Sequence, residues 1–135
     1  GGFDCKPVAV EITYGLERLA MFIQNVKSVY EIKWNDSVKY GDIYLRQEKE
    51  HSKYNFETAD IARLLQLFNI YEKEAWQLLN NKEVLPAYDY ILKCSHTFNI
   101  LDARGAISVS ERMAYILKIR KMARGCAKLY VEPAA

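Results

Sequence analysis

Most of the patterns that assign a chemistry from sequence alone are absent from this chain of 135 residues. Its three cysteines, Cys5, Cys94 and Cys126, are far apart and odd in number, which argues against a disulfide framework and a zinc knuckle and favours a reducing compartment. No P-loop, serine-hydrolase or H-E-x-x-H pattern occurs. His51 and His96 have no acid or cysteine at ligand spacing, so we expect neither to act in catalysis.

Long apolar runs and an excess of charge of one sign are also missing. The mean hydropathy of −0.21 leaves no room for a membrane span, and no signal-peptide or lipidation pattern occurs, so we expect a cytoplasmic protein without membrane contact. Nineteen Lys and Arg nearly balance 17 Asp and Glu, so any contact with nucleic acid must be local.

The first pattern that is present predicts a strand followed by a helix. In residues 8–14 the larger apolar side chains alternate with smaller or polar ones, which is typical of a half-buried strand with Glu11 and Thr13 on one face. Gly15 then predicts a tight turn, and residues 16–24 have the spacing of an amphipathic helix.

Residues 30–56 have a weaker pattern. We predict a turn at residues 35–37, a break at residues 40–42 and an exposed helix over the charged residues 46–50.

The rest of the chain is predicted to be helical. A first apolar stripe covers residues 61–78, with Asn55 or Thr58 as its cap and a stop at residues 80–81. Pro86 suits the first position of the next helix, and a loop is expected at residues 99–105. The predicted buried face of that second helix consists of Tyr88, Ile91, Leu92 and Ser95.

A capping box predicts the start of the last helix, because the side chains of Ser108 and Glu111 can each accept a hydrogen bond from the other's backbone N–H group. Its predicted core stripe contains Ile116, Ile119, Ala123, Cys126 and Tyr130. Its other side forms a basic face, which we define as Lys118, Lys121, Arg124 and Lys128.

The segment from residue 11 to residue 21 is the most informative one for chemistry. Glycine lets a ligand approach the Gly15 backbone closely, a helix N-terminus carries partial positive charge, and Arg18 can fork onto phosphate oxygens. Glu11 could hold a cation nearby. The pattern therefore predicts a site for an anionic ligand, although the same pattern also occurs on ordinary protein surfaces.

At these residues the sequence resembles a known family. Gly15-Leu16-Glu17-Arg18 resembles motif 3 of class II aminoacyl-tRNA synthetases, in which the arginine engages ATP. Five blocks together resemble the alpha subunit of bacterial heterotetrameric glycyl-tRNA synthetase. They are residues 1–8, residues 11–21, Tyr54-Asn55-Phe56-Glu57, Leu101-Asp102-Ala103-Arg104 and residues 106–112.

The resemblance implies ATP-dependent activation of glycine to glycyl-adenylate, followed by transfer to tRNA(Gly). Arg18 would bind the triphosphate as the catalytic residue, with Gly15 and Glu17 completing the ATP-binding turn. Glu11 and Thr13 would bind the ammonium group of glycine. Asp4 is the candidate ligand for Mg²⁺, since magnesium prefers carboxylate oxygens.

The resemblance also implies an α+β fold. Residues 1–55 would be the C-terminal part of a class II catalytic domain, a remnant of its antiparallel sheet with the motif 3 helix, and residues 56–135 would be a helical domain. Motifs 1 and 2 have no counterpart before Gly1. We therefore expect a portion of a longer subunit, inactive alone, whose intact form makes an alpha–alpha dimer.

A different class of function stays open for the helical part, namely an interaction module that docks the beta subunit and has no nucleotide binding of its own. The basic face either contacts the acceptor arm of tRNA or is solvated exterior. Arg104 and Arg112 either contact the beta subunit or brace the bundle.

Overall fold

A computed structural model describes residues 2–4 and 6–131 of the chain. These residues contain five α-helices: α1 (Leu16–Gln24), α2 (Tyr40–Lys53), α3 (Ile61–Asn80), α4 (Val84–Ala103) and α5 (Val109–Val131). A 3-10 turn (Val29–Glu31) precedes α2, and a π-helical turn (Tyr54–Thr58) follows it. The described residues fall into two compact units, one of residues 6–54 and one of residues 55–131 together with residues 2–4.

The expected α+β fold is wrong, because the described residues form an all-helical structure without a strand. Their one β feature is an isolated antiparallel bridge between Lys33 and Lys39. Residues 8–14 are irregular instead of forming the predicted strand. Alternating side chains show which faces a segment has, but a strand exists only through hydrogen bonds to a neighbour. No described segment supplies one, and Val10 and Ile12 are 85% and 77% exposed.

In the unit of residues 6–54, helix α1 has the predicted bounds, and the residue that follows it, Asn25, caps its last turn with a left-handed backbone (φ 51°). The predicted turn at residues 35–37 is also present. The Asn35 side chain accepts hydrogen bonds from the backbone N–H groups of Ser37 (3.0 Å) and Val38 (2.9 Å).

The predicted break at residues 40–42 is wrong, because α2 begins at Tyr40 and includes Gly41 in its first turn. A Cβ atom at Gly41 would lie 2.9 Å from the carbonyl oxygen of Tyr30. Glycine is needed there for the close approach of two backbone segments and does not interrupt the helix.

In the helical unit, the boundaries of α3 and α4 differ from the predicted ones. Asp60 caps α3 by accepting a hydrogen bond from the Arg63 N–H (2.9 Å), in place of Asn55 or Thr58. Helix α4 begins at Val84, two residues before Pro86.

Helix α4 also runs through most of the segment predicted as a loop, ending at Ala103. It continues because Ile100 and Leu101 are buried there against the start of the helical unit. Of the predicted buried face, Ile91 is buried, whereas Tyr88 and Leu92 are about half exposed. The buried residues of α4 are Ala87, Ile91, Cys94, Thr97, Phe98, Ile100 and Leu101.

The capping box before α5 is confirmed. Ser108 N–H donates to a Glu111 carboxylate oxygen (3.0 Å), and Glu111 N–H donates to the Ser108 hydroxyl (3.3 Å). Met122 and Cys126 are buried in α5, while Tyr130, predicted as core, is 71% exposed. The main core lies between α3, α4 and α5. It consists of Phe68, Ala75, Leu78, Leu79, Ala87, Ile91, Cys94, Phe98, Met122 and Cys126.

Candidate functional site

The turn into α1 leaves the N-terminal N–H groups of this helix without a side-chain cap. Gly15 occupies the N-cap position with an extended backbone (φ −70°, ψ 113°), and its carbonyl accepts the Leu19 N–H at 3.1 Å. Glycine has no side chain to satisfy the remaining N–H groups of the first turn. This end of α1 therefore presents free backbone donors together with the positive end of the helix dipole.

Arg18 folds back over the same turn. A Cβ atom added to Gly15 would lie 3.6 Å from Cγ and 3.7 Å from Cδ of Arg18, so the aliphatic stem of the arginine covers the glycine. The residue as a whole is exposed. The structure thus brings Gly15 and Arg18 together, with a guanidinium close to uncapped backbone donors.

Glu11 and Thr13 also lie together, since the Thr13 hydroxyl donates a hydrogen bond to the Glu11 carboxylate. Both residues are exposed. Among the described residues, no hydrogen bond or ion pair joins this pair to Arg18. The chain therefore places the Glu11–Thr13 pair, which carries a negative charge, just before the turn at Gly15 and Arg18, which carries a positive charge.

Glu17 lies in the first turn of α1, where a carboxylate is favoured by the helix dipole. It also accepts a hydrogen bond from the Tyr40 hydroxyl at 3.4 Å. Desolvation, together with the Glu17 carboxylate, raises the pKa of Tyr40.

Sequence analysis missed Tyr40, which belongs to an aromatic cluster. Its ring centroid lies 4.4 Å from that of Tyr44 and 6.4 Å from that of Trp34. The available signal was the spacing of Tyr40 and Tyr44, which places both rings on one face of a helix. Predicting a break at residues 40–42 concealed that spacing.

Asp4 is exposed and belongs to the short segment that groups with the helical unit. Within residues 2–4 and 6–131, no group of three or more His, Cys, Asp or Glu side chains could hold a metal ion. Mg²⁺ in phosphate-transfer sites is held by one or two carboxylates plus substrate phosphates, so a single carboxylate is compatible with a metal carried by a nucleotide.

On the basic face of α5, Lys118 and Lys121 contact α3. Lys118 forms an ion pair with Glu72 (2.8 Å), and its Nζ lies 5.9 Å from the centre of the Phe68 ring. The Nζ of Lys121 lies 5.6 Å from the centre of the Trp76 ring. These two lysines therefore help to join α5 to α3.

Arg104 and Arg112 both have partners inside the helical unit. Arg104 donates to the backbone carbonyls of Phe56 (3.0 Å) and Ala59 (3.2 Å), at the end of the π-helical turn. Arg112 pairs with Asp102 at 3.0 Å. Each arginine therefore makes contacts within the helical unit.

A groove with a volume of about 470 Å³ lies between the N-terminal part of α4 and the C-terminal part of α5. Its lining is almost entirely apolar, and Leu85 and Tyr130 in it are 72% and 71% exposed. The lining residues are Val84, Leu85, Tyr88, Ala123, Cys126, Ala127 and Tyr130.

In the described part of the chain, no helix is long and apolar enough to cross a membrane. The model of one protein family, described as glycyl-tRNA synthetase alpha subunit, matches residues 1–135, which is the whole sequence. That match agrees with the resemblance found in the five sequence blocks. The chain belongs to the glycyl-tRNA synthetase alpha subunit family.

Proposed function

We propose that this chain contributes to the synthesis of glycyl-tRNA and that the turn at Gly15 and Arg18 takes part in the activation step. In that step the glycine carboxylate attacks the α-phosphorus of ATP, which forms glycyl-adenylate and releases pyrophosphate. In the second step a terminal hydroxyl of tRNA(Gly) attacks the adenylate carbonyl, and AMP leaves. Family membership supports the ligase class, and the geometry of the turn supports the residue roles below.

The observation that carries the proposal is the combination of uncapped N–H donors and an exposed guanidinium at the start of α1. Both groups suit an anion, because backbone N–H groups at a helix N-terminus and a forked guanidinium bind phosphate oxygens. The triphosphate of ATP is such an anion. Arg18 would hold it and stabilise the charge that builds up as pyrophosphate leaves.

The Glu11 and Thr13 pair suits the other substrate. Glu11 carries the negative charge that a glycine ammonium group needs, and Thr13 orients that carboxylate by hydrogen bonding to it. Glycine has no side chain to contact, so selection would come from excluding larger amino acids around the α-carbon.

Mg²⁺ would enter with ATP, where it screens the charge of the phosphates when bound. Asp4 is the proposed carboxylate ligand from this chain, and the remaining ligands would be phosphate oxygens and water.

The test is the Arg18→Ala variant in the assembled alpha–beta enzyme, assayed by glycine-dependent exchange between pyrophosphate and ATP. Removing one preorganised charge-stabilising donor typically costs about 3–4 kcal/mol, so the rate should fall about 10²–10³-fold. Arg46→Ala is the matched control, because Arg46 is an exposed arginine on α2 that forms an ion pair with Glu50, four residues further along the same helix. Near-normal exchange in Arg18→Ala would remove Arg18 from the mechanism.

A second candidate function, docking of the beta subunit by the helical unit, is favoured by the exposed apolar groove of α4 and α5. Under this alternative, Tyr88→Asp should weaken alpha–beta association in sedimentation experiments while Leu117→Asp should not. Leu117 is a comparable exposed apolar residue of α5 that does not line the groove. Equal effects of both variants on alpha–beta association would argue against the groove as the docking surface.

A further inference from the structure

The orientation of helix α1 depends on few contacts within its own unit. None of its residues is buried, and Leu16, Phe22 and Ile23 are 76%, 85% and 78% exposed. Ile32 is the one buried hydrophobic residue that the structure describes between residues 6 and 54. Apolar packing in this unit therefore contributes little to the orientation of α1, the helix that carries Arg18. That orientation depends more on specific polar contacts.

The strongest of these contacts is a two-bond clasp made by the Gln24 side chain. Its Oε1 accepts a hydrogen bond from the Lys33 N–H (2.7 Å), and its Nε2 donates to the Lys33 carbonyl (3.1 Å). Both hydrogen bonds of the Gln24 amide are made to the backbone of Lys33, which restrains the distance between the two residues and the orientation of the amide. Gln24 is the last residue of α1.

Lys33 belongs to a short hairpin that is itself well defined. Trp34 N–H donates to the Val38 carbonyl and Tyr40 N–H donates to the Ile32 carbonyl, both at 2.8 Å. The turn of the hairpin is closed by the Asn35 side chain. The hairpin leads directly into α2 at Tyr40, whose hydroxyl reaches Glu17 in the first turn of α1.

Segment 33–40 therefore touches α1 at both ends, through Gln24 at the C-terminal end and Glu17 at the N-terminal end. Of the two contacts, the Gln24 clasp has two bonds of good length, whereas the Tyr40 bond is long at 3.4 Å. The clasp is the main polar restraint on this helix.

We infer that Gln24 is a positioning residue that fixes the direction of α1 and, through it, the place of the Arg18 guanidinium at the triphosphate. The inference rests on the proposed role of Arg18 in ATP activation. A helix of nine residues is about 13 Å long, so a tilt of about 10° at one end moves the other by about 2 Å. A misplacement of about 1 Å can already cost about 100-fold in rate.

The test compares Gln24→Met and Gln24→Ala with wild type in the assembled alpha–beta enzyme. Gln24→Met keeps the length of the side chain and removes both hydrogen bonds. We expect kcat/KM for ATP in pyrophosphate exchange to fall 10- to 100-fold in both variants, with less than a threefold change in KM for glycine. The control is Gln47→Ala, an exposed glutamine of α2, which should leave both constants unchanged.

A purely structural role is separated from a positioning role by a double-mutant cycle with Arg18. Because the N–H groups at the start of α1 move with the helix as well, adding Gln24→Met to Arg18→Ala should still lower exchange, but at least threefold less than adding it to the wild type if Gln24 acts mainly through Arg18. A structural role predicts the same 10- to 100-fold loss in both backgrounds, which would overturn the inference. Equal losses for ATP and glycine in the single variant would overturn it as well.

The inference and the proposed function can fail separately. If Arg18→Ala exchanges normally, the proposed function loses its key residue. If Arg18→Ala is impaired while Gln24→Met keeps wild-type kcat/KM for ATP, the positioning role of Gln24 alone is wrong. Thermal unfolding of each variant, followed by circular dichroism, distinguishes a misplaced helix from an unfolded enzyme.

Discussion

At the scale of single residues, several local interactions follow from the sequence alone. The capping box of Ser108 and Glu111 is present as predicted, because both partners lie within one helical turn. The hydrogen bond between Glu11 and Thr13 is also local, but the sequence predicted only that the two residues share a face of a strand, and that strand is absent. Tyr40 and Gln24 were missed because their partners lie 23 and nine residues away, and residue spacing does not reveal such pairs.

The Glu11→Gln variant tests the proposed glycine site. The Gln side chain keeps the size of Glu and can still accept the Thr13 hydrogen bond, but it has no charge. A charge-assisted bond is about twice as strong as a neutral one, so we expect glycine to bind about tenfold more weakly. ATP affinity should stay the same.

Both dissociation constants should be measured on the assembled enzyme at fixed Mg²⁺. Glu48→Gln, an exposed carboxylate of α2, serves as the control. Impaired ATP binding with an unchanged glycine constant would show that Glu11 has another role.

The capping box predicts a dependence of stability on pH. Hydrogen bonds from Ser108 lower the pKa of Glu111 below its ordinary value in the folded chain. A lowered folded pKa means that the ionised carboxylate stabilises the fold above its unfolded pKa of about 4.3, and that this contribution disappears as the pH falls through the folded pKa.

Urea unfolding at pH 7 and at pH 3 measures this contribution. Glu111→Gln should destabilise the helical unit at pH 7 and destabilise it less at pH 3, where part of the contribution of the ionised carboxylate is lost. Ser108→Ala should cost about 1 kcal/mol at pH 7, as is typical for the loss of an N-cap. An equal effect of Glu111→Gln at both pH values would exclude the ionised carboxylate as the cause.

At the scale of secondary-structure elements, helices were predictable where their periodicity was strong. Helix α1 has the predicted bounds, and the stop of α3 at Asn80 follows the predicted signal. Where tertiary packing decided the outcome, sequence was a poor guide. Helix α4 continues past Asn99 because Ile100 and Leu101 are buried there, and residues 8–14 form no strand because no described segment pairs with them.

Arg104 contacts the π-helical turn between α2 and α3. Its guanidinium donates hydrogen bonds to the backbone carbonyls of Phe56 and Ala59. Arg104→Ala should therefore destabilise the helical unit by about 1–2 kcal/mol. It should also speed amide hydrogen exchange in residues 56–60.

The matched control for this prediction is Arg46→Ala. Its ion pair with Glu50 is exposed and lies within one helix, so its loss should cost about 0.5 kcal/mol or less. If Arg104→Ala costs no more than this control, the two hydrogen bonds do not stabilise the turn.

At the scale of the whole molecule, the core is distributed unevenly. The helical unit buries large side chains completely, among them Phe68, Leu101 and Met122. The described residues of the other unit bury Ile32 and leave most apolar side chains of α1 exposed. Composition did not predict this imbalance, since apolar residues occur throughout the sequence and burial depends on which segments find a partner.

This distribution predicts two levels of stability within the chain. In native-state hydrogen exchange of the chain, amides of α3 and α4 should exchange only through global unfolding, whereas amides of α1 should exchange through local opening. The reason is that burial of apolar surface, at about 25 cal/mol per Å², supplies most of the free energy that holds helices together. Hydrogen exchange followed by mass spectrometry of peptides gives the opening free energy of α1 and that of α3 and α4 in one experiment.

The Phe68→Ala variant makes this prediction sharper. Removing a fully buried phenylalanine typically costs about 3–5 kcal/mol, so exchange in α3, α4 and α5 should accelerate strongly. Exchange in α1 and α2 should stay as in the wild type, because their unit has its own contacts through the Gln24 clasp and the Tyr40 cluster. Equal protection of α1 and α3 in the wild type, or equal acceleration of all five helices in the variant, would mean that the chain unfolds as one cooperative unit.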